Sequence, residues 1–358
     1  MATRIRHISS FLNQWAPPAV KMEYDNVGLL VGDPDHEVHR IITCLDVTEA
    51  VVAEAIEKGC ELIVAHHPLI FRKIGRINPT DEQGRIIYKL IKNDIGLIAA
   101  HTNLDAALDG VSFVLANMLG LDNLRFLDKN YRISQKIQLV TAEKDTEAVL
   151  KVLNYYSAEE AHCFNIENRE QGLTCFEAII DKHNVSSLKN GLRKEGMLKE
   201  GSFQIIELNS ASQNFGMGVL GEYPDKGIGQ NEFLHLVSRA LNVRAIRFSG
   251  EVERIKTVAV CGGSGAFLKD KALKSGADAL LTSDIKYHDF FTEKDQLLVM
   301  DVGHYESEFP VAEALKNELD EAFEHVQVSV TQVVTNPMQV YISEIEPKSI
   351  QTSASPLT

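Results

Sequence analysis

Three short stretches of this chain carry residues of the kind that hold metal ions. They are His66-His67-Pro68, His101-Thr102-Asn103-Leu104-Asp105 and Gly303-His304-Tyr305-Glu306-Ser307-Glu308. Imidazole and carboxylate donors together suit zinc, manganese, iron or nickel, and not a soft-ligand copper site. The five cysteines (Cys44, Cys60, Cys163, Cys175, Cys261) include no C-x-x-C pair. A zinc finger or a disulfide framework is therefore not expected, and any metal site must use His, Asp and Glu. A lone histidine is more often a satisfied polar side chain than a ligand. Two adjacent histidines at the opening of a loop, with two further His-and-carboxylate stretches, point instead to a site.

Each stretch follows an apolar run. Leu62 to Ala65 is too short for a helix and has no polar face, so it reads as a strand covered on both sides. Pro68 cannot donate to a ladder and ends it. Gly96 to Ala100 enters His101 in the same way, and Leu297 to Met300 enters Asp301 and His304. Two more apolar runs end in Asp46 and in Thr282-Ser283-Asp284, with His288 beyond. Between them lie helical patterns through Val51, Val52, Ala55 and Ile56, and through Ile86, Ile87, Leu90 and Ile91, the latter opened by a Thr80–Gln83 capping box. Strand, helix, strand implies parallel pairing and right-handed crossovers. The expected fold is α/β, with mostly parallel sheets and flanking helices. Ligands of such sheets bind beyond the carboxyl ends of the strands, which gathers the polar residues on one edge. Gly262-Gly263-Ser264-Gly265 could present amides to an anion or make a tight turn with close backbone approach. No G-K-[ST] follows, so it is not a P-loop.

From about Arg132 the texture changes. Gln135 to Val140 alternates polar and apolar, as a half-exposed antiparallel strand does. The order βαββαβ that follows suggests an inserted ferredoxin-like α+β domain at 130–212. That leaves 1–129 and 213–358 as one discontinuous α/β core. Near the end, Val326 to Val334 and Gln339 to Ile342 read as one or two edge strands, and the tail after Lys348 is rich in Ser and Thr.

The chain has 358 residues, 44% hydrophobic, with a net charge of −14. That balance disfavours nucleic acid or an anionic membrane surface as the main partner. No apolar run approaches the roughly 20 residues of a membrane span, and the first residues lack the apolar core of a signal peptide. A cytoplasmic protein is expected.

In four places the residues match a known pattern: Asp25-Asn26-Val27-Gly28-Leu29, His66-His67-Pro68, His101-Thr102-Asn103-Leu104-Asp105, and Gly303-His304 with Glu308. The chain resembles the NIF-three-like proteins, also named GTP cyclohydrolase 1 type 2 homologues. The resemblance implies two divalent metal ions per chain, held by His66, His67, Asp105, His304 and Glu308, with Glu308 as the bridging carboxylate. It implies a homohexamer, and it makes 130–212 similar to a PII-like insertion. The expected function is a metal-dependent hydrolase acting on a small molecule through metal-activated water. The alternative is a non-enzymatic metal-binding regulatory, scaffold or chaperone protein. His101 would support a ligand from behind or carry a proton for the reaction, or only bond within its loop. Ser307 is placed to cap the helix that opens at Pro310, with Glu308 at its start and His304 in the preceding loop. Glu306 would then be a solvated neighbour or a residue that supports a ligand from behind.

Overall fold

The structure, a computed structural model, describes residues 2–129, 134–155, 159–166, 172–198, 202–208, 214–291 and 296–342. Ile5, Ile8 and Leu12 recur on one face of α1 (Ile5–Trp15) and bury that face, as helical spacing requires. The first sheet takes β1 (Gly28–Val31), β2 (Arg40–Cys44), β3 (Leu62–Ala65) and β4 (Gly96–Ala99), with α2 (Glu49–Glu57) and α3 (Glu82–Lys92) as crossovers. Every residue of β3 and β4 is buried, which explains their unbroken apolar character. β2, β3 and β4 run parallel, while β1 lies antiparallel to β4. The chain then forms α4 (Thr102–Asp105), α5 (Val111–Met118) and β5 (Asp122–Asp128).

A separate four-stranded sheet follows. Its strands are β6 (Ser134–Ala142), β7 (Glu159–Ile166), β8 (Leu173–Asp181) and β9 (Phe203–Glu207), with α6 (Thr146–Tyr155) after β6 and α7 (Lys182–Lys194) after β8. The spatial order is β7-β8-β6-β9, all antiparallel. Ile137, Leu139, Val149, Leu153, Phe176 and Leu188 give this sheet its own core. The boundaries expected at 130 and 212 fall outside the described residues, as does the tail after Lys348.

The rest of the chain builds a second large sheet and returns to the first. It comprises β10 (Met217–Glu222), β11 (Ile228–Gly229), α8 (Gln230–Ala240), β12 (Arg247–Ser249), β13 (Arg254–Ile255), β14 (Thr257–Ser264), α9 (Lys269–Lys274), β15 (Ala279–Ser283), β16 (Leu298–Asp301), α10 (His304–Glu308), α11 (Pro310–Ala322) and β17 (Gln327–Val330). The second sheet has the order β12-β16-β15-β14-β10-β5. Its centre, β14-β15-β16, is parallel. β17 crosses back to lie parallel to β2 in the first sheet. Val311, Leu315 and Leu319 of α11 share one core with Ile41, Leu45 and Val64, so α11 packs against the first sheet.

The sheets are mixed, and this corrects the expectation of mostly parallel ones. β1, β5, β10 and β12 all pair antiparallel. Apolar runs alternating with helices mark only the parallel strands, whereas β1, β5 and β12 are partly exposed and an antiparallel pair needs no crossover helix. Residues 339–342 hold no strand, because β17 already ends at Val330. Asp81, not Thr80, caps α3 by accepting from the Gly84 amide, and Gln83 reaches back to the Leu69 carbonyl.

Candidate metal centre

The carboxyl ends of β2, β3, β4, β15 and β16 supply Asp46, His66 and His67, His101, Asp284, and His304 in turn. Each histidine is held by its Nδ1. His66 Nδ1 donates to the Ala100 carbonyl at 2.8 Å, which fixes its tautomer. His67 Nδ1 meets Asp46 Oδ1 at 2.7 Å, His101 Nδ1 meets Asp25 Oδ1 at 2.8 Å, and His304 Nδ1 meets Asp284 Oδ2 at 2.6 Å. All four rings therefore have Nε2 left for other work. An oxygen behind the ring is the usual support of a metal-binding histidine. The His66, His67 and His101 ring centroids lie 5.1 to 5.3 Å apart, and His304 lies 5.5 Å from His67.

Glu308 stands among these rings. Its Oε2 is 2.9 Å from both His67 Nε2 and His304 Nε2, and its Oε1 lies 4.0 Å from His66 Nε2. Asp105 Oδ1 lies 3.5 Å from His66 Nε2. Three overlapping sets can each hold an ion: His66–His67–His101, His67–His304–Glu308 and His66–Asp105–Glu308. His66 Nε2 and Asp105 Oδ1 are buried without a hydrogen-bond partner among the described residues. The tautomer makes His66 Nε2 an acceptor, and Asp105 is one when ionised, so a cation between them would satisfy both and offset the cost of that buried charge. The donor set thus fits a divalent metal of the imidazole-and-carboxylate class.

The electrostatics carry the same mark. Burial pushes His66 down to about 3, so it is neutral and its lone pair is free. Burial, then the nearby Glu308 charge, raises Asp105 well above the carboxylate range. Burial opposes charge on His67 too, but its bonds to Asp46 and Glu308 prevail and raise it to about 10. The Glu308 bond chiefly raises His304 to about 9, with Asp284 adding to it. Glu308 itself is held well below its ordinary value by His304 and His67 against the cost of burial. Without metal, two imidazolium rings supply the positive charge that this carboxylate needs.

All five expected ligands converge, and His101 joins them in the same relation to His66 and His67. Asp46 and Asp284 were visible in the sequence as polar strand ends. Asp25 was visible only as part of a motif, yet it accepts from His101 and from the Thr102 amide at 3.0 Å. His288 stands apart, packed against Tyr287 and Phe291. Glu306 accepts from Asn336 at 2.8 Å. The expected Ser307 cap is overturned. Ser307 Oγ donates to the His304 carbonyl at 2.9 Å and accepts from the Gly263 amide at 3.0 Å. His304 through Glu308 is itself a helical turn, so the His304–Glu308 pair has i,i+4 spacing. Pro310 opens the next helix as expected. Gly263, at φ +60°, lies against Glu308. The glycine stretch therefore serves close approach, to a carboxylate side chain.

Because Asp284 fixes the His304 ring, Asp284→Asn is expected to weaken metal binding by roughly 10- to 100-fold, the usual effect of losing such a support. A competitive metal titration against a chelating dye measures it, and an unchanged affinity would remove Asp284 from the site.

Residues 3–337 match the family Duf34/NIF3 (NGG1p interacting factor 3). Among curated relatives, the "GTP cyclohydrolase 1 type 2 homolog" of Staphylococcus aureus (strain MSSA476) is 32% identical over 94% of this chain and 99% of its own. The protein of the same name from Staphylococcus epidermidis (strain RP62A) is 34% identical over 88% of this chain and 93% of its own. Among solved structures, a Bacillus cereus protein related to NIF3 superposes with a TM-score of 0.77 at 28% identity, over 95% of this chain and 100% of that one. Staphylococcus aureus protein SA1388 does so with 0.77 at 32%, over 95% and 99%.

Proposed function

The chain belongs to the Duf34/NIF3 family, and from that premise we propose a two-metal centre of hydrolase type acting on a small molecule. One observation carries this reading. Glu308 offers Oε2 to His67 and His304 and Oε1 toward His66, beside the unpartnered acceptors His66 Nε2 and Asp105 Oδ1. A carboxylate with a different set of donors at each oxygen is suited to bridge two ions. His66 and Asp105 would help hold one ion and His67 and His304 the other, with Glu308 shared between them. Zinc, manganese, iron and nickel all suit these donors. When bound, such a pair lowers the pKa of a water between the ions and polarises the bond under attack.

The chain's own groups orient and protect this centre. The Asp46, Asp284 and Asp25 carboxylates and the Ala100 carbonyl fix the four rings. His101 Nε2 has no partner among the described residues, so His101 is the ring free to exchange a proton with water or substrate. Its place beside His66 and His67 also favours a donor role. Elemental analysis should find about two transition-type ions per chain, and His66→Ala and Glu308→Ala should each lower that number. Full occupancy in both variants would reject the assignment. A hydrolase substrate screen with each metal then tests the reaction. Stoichiometric metal with no turnover on any substrate would favour a scaffold or chaperone.

The same reading extends to the rest of the chain. Its own core and the antiparallel βαββαβ order support 130–212 as an inserted, ferredoxin-like, PII-like domain between 1–129 and 213–358. A chain joining residue 129 to 213 through a short flexible linker is expected to fold and to keep its metal. Loss of the fold in that chain would sink the modular reading. Exposed Val334, Met338, Val340 and Tyr341 support a homo-oligomer, proposed as a homohexamer, which light scattering measures. The described cysteines are free thiols, in keeping with the reducing cytoplasm. No described helix is long and apolar enough to cross a membrane.

A further inference from the structure

Two large aromatic rings stand open to solvent beside the histidine cluster. Tyr24 is 65% exposed and Phe71 is 45% exposed. Their ring centroids are 6.0 Å apart, and the Phe71 ring lies 6.4 Å from that of His101 in an edge-on arrangement. An exposed aromatic is unremarkable alone, but these two are held by the polar network that holds the site. Asp25, the neighbour of Tyr24, accepts from His101 and Thr102 through its side chain and from Lys21 through its carbonyl. The Met22 amide donates to Thr102 Oγ1 at 2.9 Å. Asn26 Nδ2 donates to the Ile70 carbonyl at 2.6 Å and ties the Tyr24 turn to the Phe71 loop. The backbone on either side of both rings is thus fixed before any ligand arrives, which lowers the ordering cost of binding.

The charge beside them is also unusual for this chain. Residues 68–80 contain Arg72, Lys73 and Arg76 and no carboxylate, in a protein of net charge −14. All three are exposed, and none makes an ion pair among the described residues. Arg72 and Lys73 directly follow Phe71. Two open rings, tilted 53° to each other, and a positive loop therefore adjoin a cluster suited to cations.

We infer that Tyr24 and Phe71 form a ring-binding subsite of this centre, whose ligand is a flat aromatic or heteroaromatic ring bearing a phosphate or similar anion. The ring stacks at Tyr24 and Phe71, and Arg72 and Lys73 meet the anion. The anion's remaining contacts rest on the two-metal reading above, whereas the ring contacts do not.

The test uses the full-length, metal-loaded protein and two probes that cannot be hydrolysed, phenylphosphonate and methylphosphonate. Calorimetric titration is expected to give phenylphosphonate roughly a tenfold advantage, the scale of one aromatic stacking contact. Tyr24→Ala and Phe71→Ala should each remove most of that advantage without changing metal content or methylphosphonate affinity. Tyr24→Phe should keep it. The double variant Arg72→Ala with Lys73→Ala should weaken both probes by the same factor. Equal affinities in the unaltered protein, or an advantage that survives both alanine variants, would overturn the subsite. So would a change in subunit number in either alanine variant, since the rings would then belong to a contact between copies. Elemental analysis of the same samples separates failure of the metal reading, because the ring preference is read from the difference between probes.

Discussion

Glu308→Gln is expected to strip the protein of both ions, while Glu306→Gln leaves them nearly in place. The two carboxylates are two residues apart, but their surroundings differ completely. Glu308 is buried and faces His67 and His304 with one oxygen and His66 with the other. The amide replaces one of these oxygens with a donor and removes the charge that two metal ions would share. Removing one partner from a buried charged cluster costs about 3–5 kcal/mol, which corresponds to roughly a hundredfold or more in affinity. Glu306 instead accepts from Asn336 on the segment after β17 and bonds to none of the four rings among the described residues, so its loss should leave metal affinity nearly unchanged. Metal titration of both variants checks the ranking. The reverse order would move the bridge to Glu306 and leave the histidines where they are.

Gly263→Ala is expected to empty the site without touching any donor atom. A Cβ at Gly263 would overlap Glu308 Oε1 and lie 3.0 Å from Cδ and 3.6 Å from His304 Cε1. Glu308 cannot swing away without leaving His67 and His304, so the carboxylate loses its geometry. The position also has φ +60°, a conformation that costs a residue with a Cβ about 1–2 kcal/mol. Gly276→Ala separates the two effects. It has φ +74° with nothing within 4 Å of the added Cβ, so it should lower the melting temperature and leave the metal alone. Gly263→Ala should lower metal affinity by at least about tenfold, as displaced donors do in comparable sites. Metal content and melting curves of the two variants decide it. Normal metal content in Gly263→Ala would mean that Glu308 is free to move and is not the fixed centre of the cluster.

The parallel heart of both sheets was legible because a strand covered on both faces must be apolar, as β3 and β4 are throughout and as Ala279 to Leu281 of β15 and Leu298 to Met300 of β16 are. Their polar exits were legible for the same reason, since charge could appear only where the strand stopped. The antiparallel margins were not. β12 spans three residues and β1 four, too short for a periodic signal against half-exposed surroundings. Asp25 precedes an antiparallel strand and reaches His101 across 76 positions, a pairing that no local pattern encodes. Ser307 misled because a serine before a proline-led helix usually caps it, whereas here the turn from His304 to Glu308 is already helical and takes the hydroxyl for itself.

The return of β17 to pair with β2 has a temporal consequence. His67 and Glu308 are 241 positions apart, so at roughly 5–20 residues per second a ribosome releases the first some 10 to 50 s before the second. Throughout that interval the nascent chain carries an incomplete set of donors, and His67 lacks its carboxylate. Capture of a metal by the full donor set would therefore come late, after α10 has emerged and docked. The 130–212 segment lengthens that wait, but it adds well under about 1 kcal/mol to the entropy of closure, because that cost grows only with the logarithm of loop length. A whole four-stranded sheet thus lies within the sequence span of these donors at little thermodynamic expense, and the delay falls on synthesis instead.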